Sequence, residues 1–202
     1  MLRWFETSPK ALAVYGLTAL LAIVELGVLW QALHPNVTDD YRAYYITRST
    51  TCLPQPVTAA YGLGTLIDFT NNGDIDGARE LLPCGWENPG DDGRQSLGES
   101  SRMRFYIGTP QDLQFTITMA GMNLNNAGDR DVRLFAGAYP VGHAIVGAES
   151  KDTFTFDVPG SAIEDGFLNL RFDFSNAIET SDGISSIYWR SVKLISAQLS
   201  PL

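Results

Sequence analysis

The sequence predicts an all-β protein, an antiparallel β-sandwich of jelly-roll type, preceded by one membrane-spanning helix at the N-terminus. Two observations carry that prediction. Residues 11–33, ALAVYGLTALLAIVELGVLWQAL, are apolar except for one formal charge, at Glu25. From about residue 61 onward, short stretches alternate apolar with polar residues and are separated by clusters of Gly, Pro, Asn, Asp and Ser. A period of two broken by such clusters is the pattern of half-buried strands joined by tight turns.

The apolar run comes first in the chain. At about 1.5 Å per residue, residues 11–33 reach roughly 34 Å, enough to cross a hydrocarbon core of roughly 30 Å with modest tilt. Residues 1–10 carry Arg3 and Lys10 against Glu6, whereas His34-Pro-Asn-Val-Thr-Asp39-Asp40 follows the run without a base. The positive-inside rule therefore places residues 1–10 in the cytoplasm and everything after residue 33 on the far side. The run exceeds a typical signal-peptide core, and the WQALHPN exit lacks a small-x-small cleavage site, so a retained anchor is expected. Thr18, Ala22, Glu25 and Leu29 share one helical face by their three- and four-residue spacing. That face is either a lipid-facing stripe carrying a neutral glutamic acid or a docking surface. In the second case Thr18 and Ala22 give close approach and Glu25 a buried hydrogen bond.

Residues 34–60 read as a membrane-proximal lead-in, polar and β-leaning. Cys52 and Cys84 are the only cysteines. On the oxidising side of a membrane they are expected to form a disulfide, tying the lead-in to the domain of residues 61–202.

Within that domain Met103, Phe105 and Ile107 alternate with Arg102, Arg104 and Tyr106, and Leu113, Phe115, Ile117 and Met119 alternate with Gln114, Thr116 and Thr118. The same alternation recurs in Val132/Leu134/Ala136, Phe154/Phe156/Val158 and Leu168/Leu170/Phe172/Phe174. Further strands are expected over Tyr61–Phe69, Val141–Val146 and Ile187–Leu199, with short helical turns over Asp76–Leu82 and Ser161–Asp165. Turns are expected at 125–128, 159–160 and 181–183. About eight short strands in one domain of ordinary size favour a sandwich.

Composition narrows the function. A formal net charge of −9 with scattered arginines leaves no basic stripe for a phosphate backbone, so nucleic acid is not an expected partner. Gly62-Leu-Gly64 lacks the third glycine and the βαβ unit of a dinucleotide site. Asn71-Asn-Gly-Asp74-Ile-Asp76-Gly has the composition of half a calcium loop but not its bidentate acid, and reads as a turn, with a structural calcium as the alternative. His34 and His143 lie in no nucleophile context, and no G-x-S-x-G is present. No catalytic residue, metal or cofactor is therefore expected. Trp86 and Trp189 are read either as core residues or as stacking platforms for a sugar, beside the polar donors Arg102, Arg104, Asp131 and Arg133.

Four stretches, in order, carry a resemblance. They are Tyr61-Gly-Leu-Gly64 leading to Asp68-Phe69; Leu82-Pro-Cys-Gly85-Trp86-Glu-Asn-Pro89; Met103-Arg-Phe-Tyr-Ile107; and Val158-Pro-Gly-Ser161 through Gly166-Phe-Leu-Asn-Leu-Arg-Phe172. Together they resemble the β-sandwich modules of bacterial membrane glycosyltransferases and surface-polysaccharide proteins, which are similar to carbohydrate-binding jelly rolls. The resemblance implies an accessory, non-catalytic module at a bacterial inner membrane, with its sandwich in the periplasm, assisting polysaccharide or envelope assembly. Expected partners are membrane lipid and a glycan, or alternatively an integral-membrane protein complex in which this chain is an accessory subunit.

Overall fold

The computed structural model describes residues 8–38, 41–46, 52–122, 128–181 and 187–202. Arg3, Glu6 and most of the expected turns at 125–128 and 181–183 lie outside these residues. The chain divides into two compact units, Met1–Thr38 and Asp39–Leu202.

In the first unit, helix α1 runs from Pro9 to Leu33. Ser8 caps it, its hydroxyl accepting the Ala11 N–H at 3.3 Å, and Pro9 follows where a missing N–H costs nothing. At the far end the His34 N–H donates to the Trp30 carbonyl, and Pro35 blocks another turn. The helix is long and apolar enough to cross a membrane, and none of its residues is buried within the chain.

The second unit is mostly β. Its described elements are a π-helical turn at Arg42–Ile46, strand β1 (Ile67–Asp68), helix α2 (Ile75–Arg79), and strands β2 (Arg94–Gln95), β3 (Ser100–Tyr106), β4 (Leu113–Gly121), β5 (Arg130–Ala136), β6 (Tyr139–Val146) and β7 (Lys151–Val158). A 3₁₀ turn at Gly160–Ala162 leads into β8 (Ile163–Glu164), β9 (Phe167–Phe174), β10 (Ile178–Ser181), β11 (Ile187–Arg190) and β12 (Val192–Pro201). One sheet has the order β1-β12-β4-β7, with β2 also on β12. The other has the order β3-β9-β5-β6, with β8 on β9. All these pairs are antiparallel. Among the long strands only β5 and β6 form a hairpin within one sheet, and the chain otherwise crosses between sheets, as in a jelly roll.

Alternation in the sequence becomes inside and outside. Leu113, Phe115, Ile117 and Met119 of β4 meet Leu168, Leu170, Phe172 and Phe174 of β9 in one core, joined by Met103, Phe105, Val132, Leu134, Leu194 and Leu199. Tyr61 packs edge-on against Phe105, with ring centroids 5.1 Å apart.

Three expected elements differ. Tyr61–Phe69 is not a continuous strand, and only Ile67–Asp68 pairs. Gly64 takes a left-handed turn (φ +83°), and the Tyr61 hydroxyl bonds back to the Thr65 carbonyl at 2.5 Å, which curls the segment. The last strand is broken at Ser191, whose N–H donates to the Ser96 hydroxyl at 2.9 Å, so that β11 pairs with β10 and β12 joins the first sheet. The helical turn expected over Asp76–Leu82 begins earlier, because the Asp74 carboxylate caps it by accepting the Gly77 N–H at 3.0 Å.

The disulfide joins Cys52 to Cys84. Around it, residues 55–59 lie along 80–83. The Gln55 and Ala59 N–H groups donate to the carbonyls of Pro83 and Glu80, and the Thr58 N–H donates to the Glu80 carboxylate at 2.9 Å. That N–H holds the Glu80 carboxyl below its usual range. Residues 81–84 in turn lie along β3, since the N–H groups of Arg104 and Arg102 donate to the carbonyls of Leu81 and Cys84.

Candidate functional site

Burial of one face of β3, β9, β5 and β6 forces the intervening residues outward. The cross-strand register then sets these outward residues in rows. Arg104 lies opposite Asn169; Arg102 opposite Arg171, which lies opposite Phe135; and Asp173 opposite Arg133, which lies opposite His143. Asp131 follows two residues before Arg133. Along these four strands the outward positions carry four arginines against two aspartates and no lysine, in a chain of formal net charge −9.

Neighbours hold the guanidinium groups in place. Arg171 lies over the Phe135 ring at 4.4 Å from its centroid, with Nε 3.0 Å from Asp173 Oδ1. Arg104 lies over the Phe167 ring at 4.0 Å, and its buried Nε has no hydrogen-bond partner. Arg133 pairs with Asp131 at 3.7 Å, and the Ser175 hydroxyl donates to the same carboxylate at 2.6 Å. Arg102 and Arg171, directly opposite each other on adjacent strands, line an open recess of about 150 Å³ together with Gly137, Asn169 and Leu170. Gly137, in the β5–β6 turn, borders the recess and donates its N–H to the Asn169 carbonyl at 2.9 Å. Like charges directly opposite are unfavourable in a sheet unless compensated, and Asp173 supplies that for Arg171.

Arg102, Arg104, Asp131 and Arg133 are thus brought onto one face. The two tryptophans are elsewhere. Trp86 sits on the inner side of that sheet, edge-on to Phe172 and Phe174 at 5.7 and 6.2 Å. Its orientation follows from Gly85, which has φ +81°, and where a Cβ would stand 2.6 Å from the Ser101 Cα. Only glycine lets the backbone approach β3 so closely and turn the next side chain beneath it. Trp189 lies on the two-stranded ribbon of β10 and β11, opposite Glu179.

Arg171, Asn169, Asp173 and Phe135 are the members of the face that the motif reading did not single out. Their signal was available, because they alternate with Leu168, Leu170, Phe172 and Leu134, which face inward. Arg130 shows the converse. It alternates with the outward residues of β5, so it is buried, its Nη2 donating to the Met122 carbonyl at 2.7 Å. That burial lowers its pKa, although Asp129 opposes the shift.

Two larger clefts hold several charged groups that are engaged within the chain. In one of about 360 Å³, Lys193 pairs with Asp92, and the Asn71 amide donates to Asp91 at 3.0 Å. In one of about 270 Å³, Asp68 and Asp74 accept the backbone N–H groups of Thr70 and Gly77. Among the described residues no group of three or more His, Cys, Asp or Glu side chains is placed to hold a metal ion.

No protein-family model matches the chain, and no curated protein matches it. Among solved structures it is similar to a carbohydrate-binding module of family 36 in complex with calcium and xylotriose, at 13% identity and a TM-score of 0.36, over 69% of this chain and 91% of that one. It is similar to a family 36 module of a multidomain xylanase from the hindgut metagenome of Trinervitermes trinervoides, at 15% identity and a TM-score of 0.35, over 66% and 94%. A family 6 carbohydrate-binding module is matched at 11% identity and a TM-score of 0.37, over 68% and 94%. The sandwich assignment itself rests on the strand pairing described above.

Proposed function

We propose that this chain is a non-catalytic, membrane-tethered binding protein whose sandwich holds a glycan on the outward face of β3, β9, β5 and β6. The single observation that carries the reading is the recess in which Arg102 and Arg171 face each other beside Asn169. Guanidinium and amide donors fixed on a rigid sheet suit a ligand rich in oxygen acceptors, and stacking and ion pairing restrain Arg171 before a ligand arrives. In this reading α1 lies across a bacterial inner membrane with its N-terminus in the cytoplasm, and the periplasmic sandwich assists polysaccharide or envelope assembly.

The test uses the full-length chain in mild detergent, passed over a panel of immobilised polysaccharides. Retention of the parent, with release of Arg102→Ala and Arg171→Ala at unchanged thermal unfolding, supports the reading. A folded parent that nothing on the panel retains rejects it.

A second reading is favoured by one feature of α1. Glu25 is the one formal charge within residues 11–33 of a helix that buries no residue within this chain. In that reading the protein is an accessory subunit of an integral-membrane complex, docked through the face of Thr18, Ala22, Glu25 and Leu29. Identifying what accompanies the chain out of its native membrane distinguishes the two.

A further inference from the structure

We propose that β7 pairs along its open edge with β7 of a second copy of this chain, antiparallel about a two-fold axis, so that one sheet runs through both sandwiches. The proposal is independent of the glycan reading, which concerns the other sheet.

Among the described residues the two sheets of the sandwich end on four edges, and three are blunted. Beyond β12 lie the two-residue strands β1 and β2. β3 is covered, because the N–H groups of Arg102, Arg104 and Tyr106 donate to the carbonyls of Cys84, Leu81 and Ala59. β6 carries Pro140, and its ladder with β5 is interrupted by a register shift between Leu134 and Phe135. β7 differs from all three. Lys151–Val158 contains no proline or glycine, pairs with β4 in an unbroken register along its whole length, and among the described residues pairs with no other strand. Its one inward charge, Asp152, sits near the start and takes the Gly147 N–H and the Ser150 hydroxyl. A long edge with open N–H and C=O groups is a template for another strand.

The pairing to β4 fixes which groups are open. The Gly121 N–H donates to the Ser150 carbonyl at 3.1 Å, so in the register that follows the even-numbered residues of β7 bond to β4. The N–H and C=O groups of Lys151, Thr153, Thr155 and Asp157 therefore point to the open edge, and the side chains of these four residues are exposed.

Lys151 and Asp157 stand symmetrically about Phe154. Antiparallel self-pairing with Phe154 opposite its own copy sets Lys151 opposite Asp157 and Thr153 opposite Thr155, each pair occurring twice by symmetry. These are the positions whose backbone groups face the second copy, so hydrogen bonds and charges match in one register. Sliding either copy by two residues keeps the backbone bonds but loses both charge pairs. The Thr153 and Thr155 hydroxyls already lie 2.9 and 3.3 Å from those of Thr118 and Thr116, and the second copy extends that row. Phe154 and Phe156 pack against the core yet stay half-buried at the sandwich edge, where the added strand covers them. An extended segment of a different protein would find the same backbone groups, but only a self-complementary strand accounts for the symmetric placement of the two charges.

The experiment measures the protein mass of the full-length chain in mild detergent by light scattering over a range of concentrations. The parent is expected to form two-chain particles in equilibrium with single chains. Lys151→Glu and Asp157→Lys should each weaken association about tenfold or more, because like charges then meet twice, and the double variant should recover it. Thr155→Pro, which removes an N–H that β4 does not use, should abolish pairing. Thermal unfolding of the charge variants equal to that of their single-chain parent shows that the sandwich is intact. A parent that stays single-chain at every concentration overturns the proposal, whether or not a segment of another protein is found on β7. A two-chain particle that neither charge variant weakens also overturns it, since the contact then lies elsewhere. Retention on polysaccharides reports separately on the glycan reading in every case.

Discussion

Trp86 donates its indole N–H to the main-chain carbonyl of Arg102 at 3.1 Å. One residue of the Gly85-Trp86 pair thereby packs the core and also sets the position of the strand that presents the outward arginines. The indole supplies the partner that a buried aromatic polar group needs, and the Cys84 carbonyl takes the Arg102 N–H from the same side.

Trp86→Ala is therefore expected to act on stability first. Removing a ring packed against Phe172 and Phe174 should cost about 3 kcal/mol, and Trp86→Phe, which keeps an apolar ring but loses the hydrogen bond, about 1 to 2 kcal/mol. Urea unfolding followed by fluorescence from the other tryptophans or by circular dichroism reads both. A Trp86→Ala midpoint equal to the parent's would show that the ring contributes nothing to the core.

How much of this was legible in the sequence depends on whether alternation governed the segment. It governed β4 and β9, so the inward set from Leu113 to Met119 and from Leu168 to Phe174 could be read directly, and it governed β3 and β5, which sets Arg102, Arg104, Asp131 and Arg133 outward. The opposition of Arg102 to Arg171 could not be read, because it depends on the register between strands far apart in the chain. Trp86 sits in an irregular stretch with no period, and its inward side is decided by the backbone at Gly85. The break at Ser191 was equally hidden, since it arises from a hydrogen bond to distant Ser96.

The Cys52–Cys84 disulfide is expected to stabilise the sandwich by about 3 to 4 kcal/mol through the shortened unfolded chain, given its sequence separation of 32. Cys52 is 2% exposed, so reduction in the folded state should be slow. The double variant Cys52→Ala/Cys84→Ala should unfold at a lower urea midpoint than the oxidised parent. It should match parent that has been unfolded under reducing conditions. Two thiols that alkylate freely in protein isolated without reductant would contradict the pairing.

Tyr61 gives the domain an alkaline limit. Its hydroxyl lies between the Thr65 and Leu199 carbonyls and accepts the Leu199 N–H at 2.9 Å. Burial raises its pKa above the ordinary phenol value, and the bond to Leu199 opposes the shift. Because the folded chain keeps this proton to higher pH than the unfolded chain does, the contribution is complete below about pH 10 and is lost as pH rises through the raised folded value. Tyr61→Phe should cost about 1 to 2 kcal/mol at neutral pH by leaving the Leu199 N–H without that acceptor. The gap in urea midpoint between parent and variant should hold up to about pH 10 and narrow above it. A constant gap would mean that the phenol titrates alike in both states.

The helix admits a test that separates tethering from docking. Glu25 lies four residues beyond the middle of α1, or roughly 6 Å along its axis. Insertion scales place an ionised aspartate or a base at a helix centre at about 2.5 to 3.5 kcal/mol, and an off-centre or protonated glutamic acid costs less. Thr18 already donates its hydroxyl to the Val14 carbonyl at 3.0 Å, so on this face it serves as a small side chain and Glu25 is the free polar group. Glu25→Leu should accordingly raise the inserted fraction while loosening co-purification with any integral-membrane partner. Ala22→Phe should loosen it by bulk alone, with insertion unchanged or improved. If both variants bring the partner out of the membrane as firmly as the parent does, α1 is a tether only, and any contact with a complex is made by the sandwich.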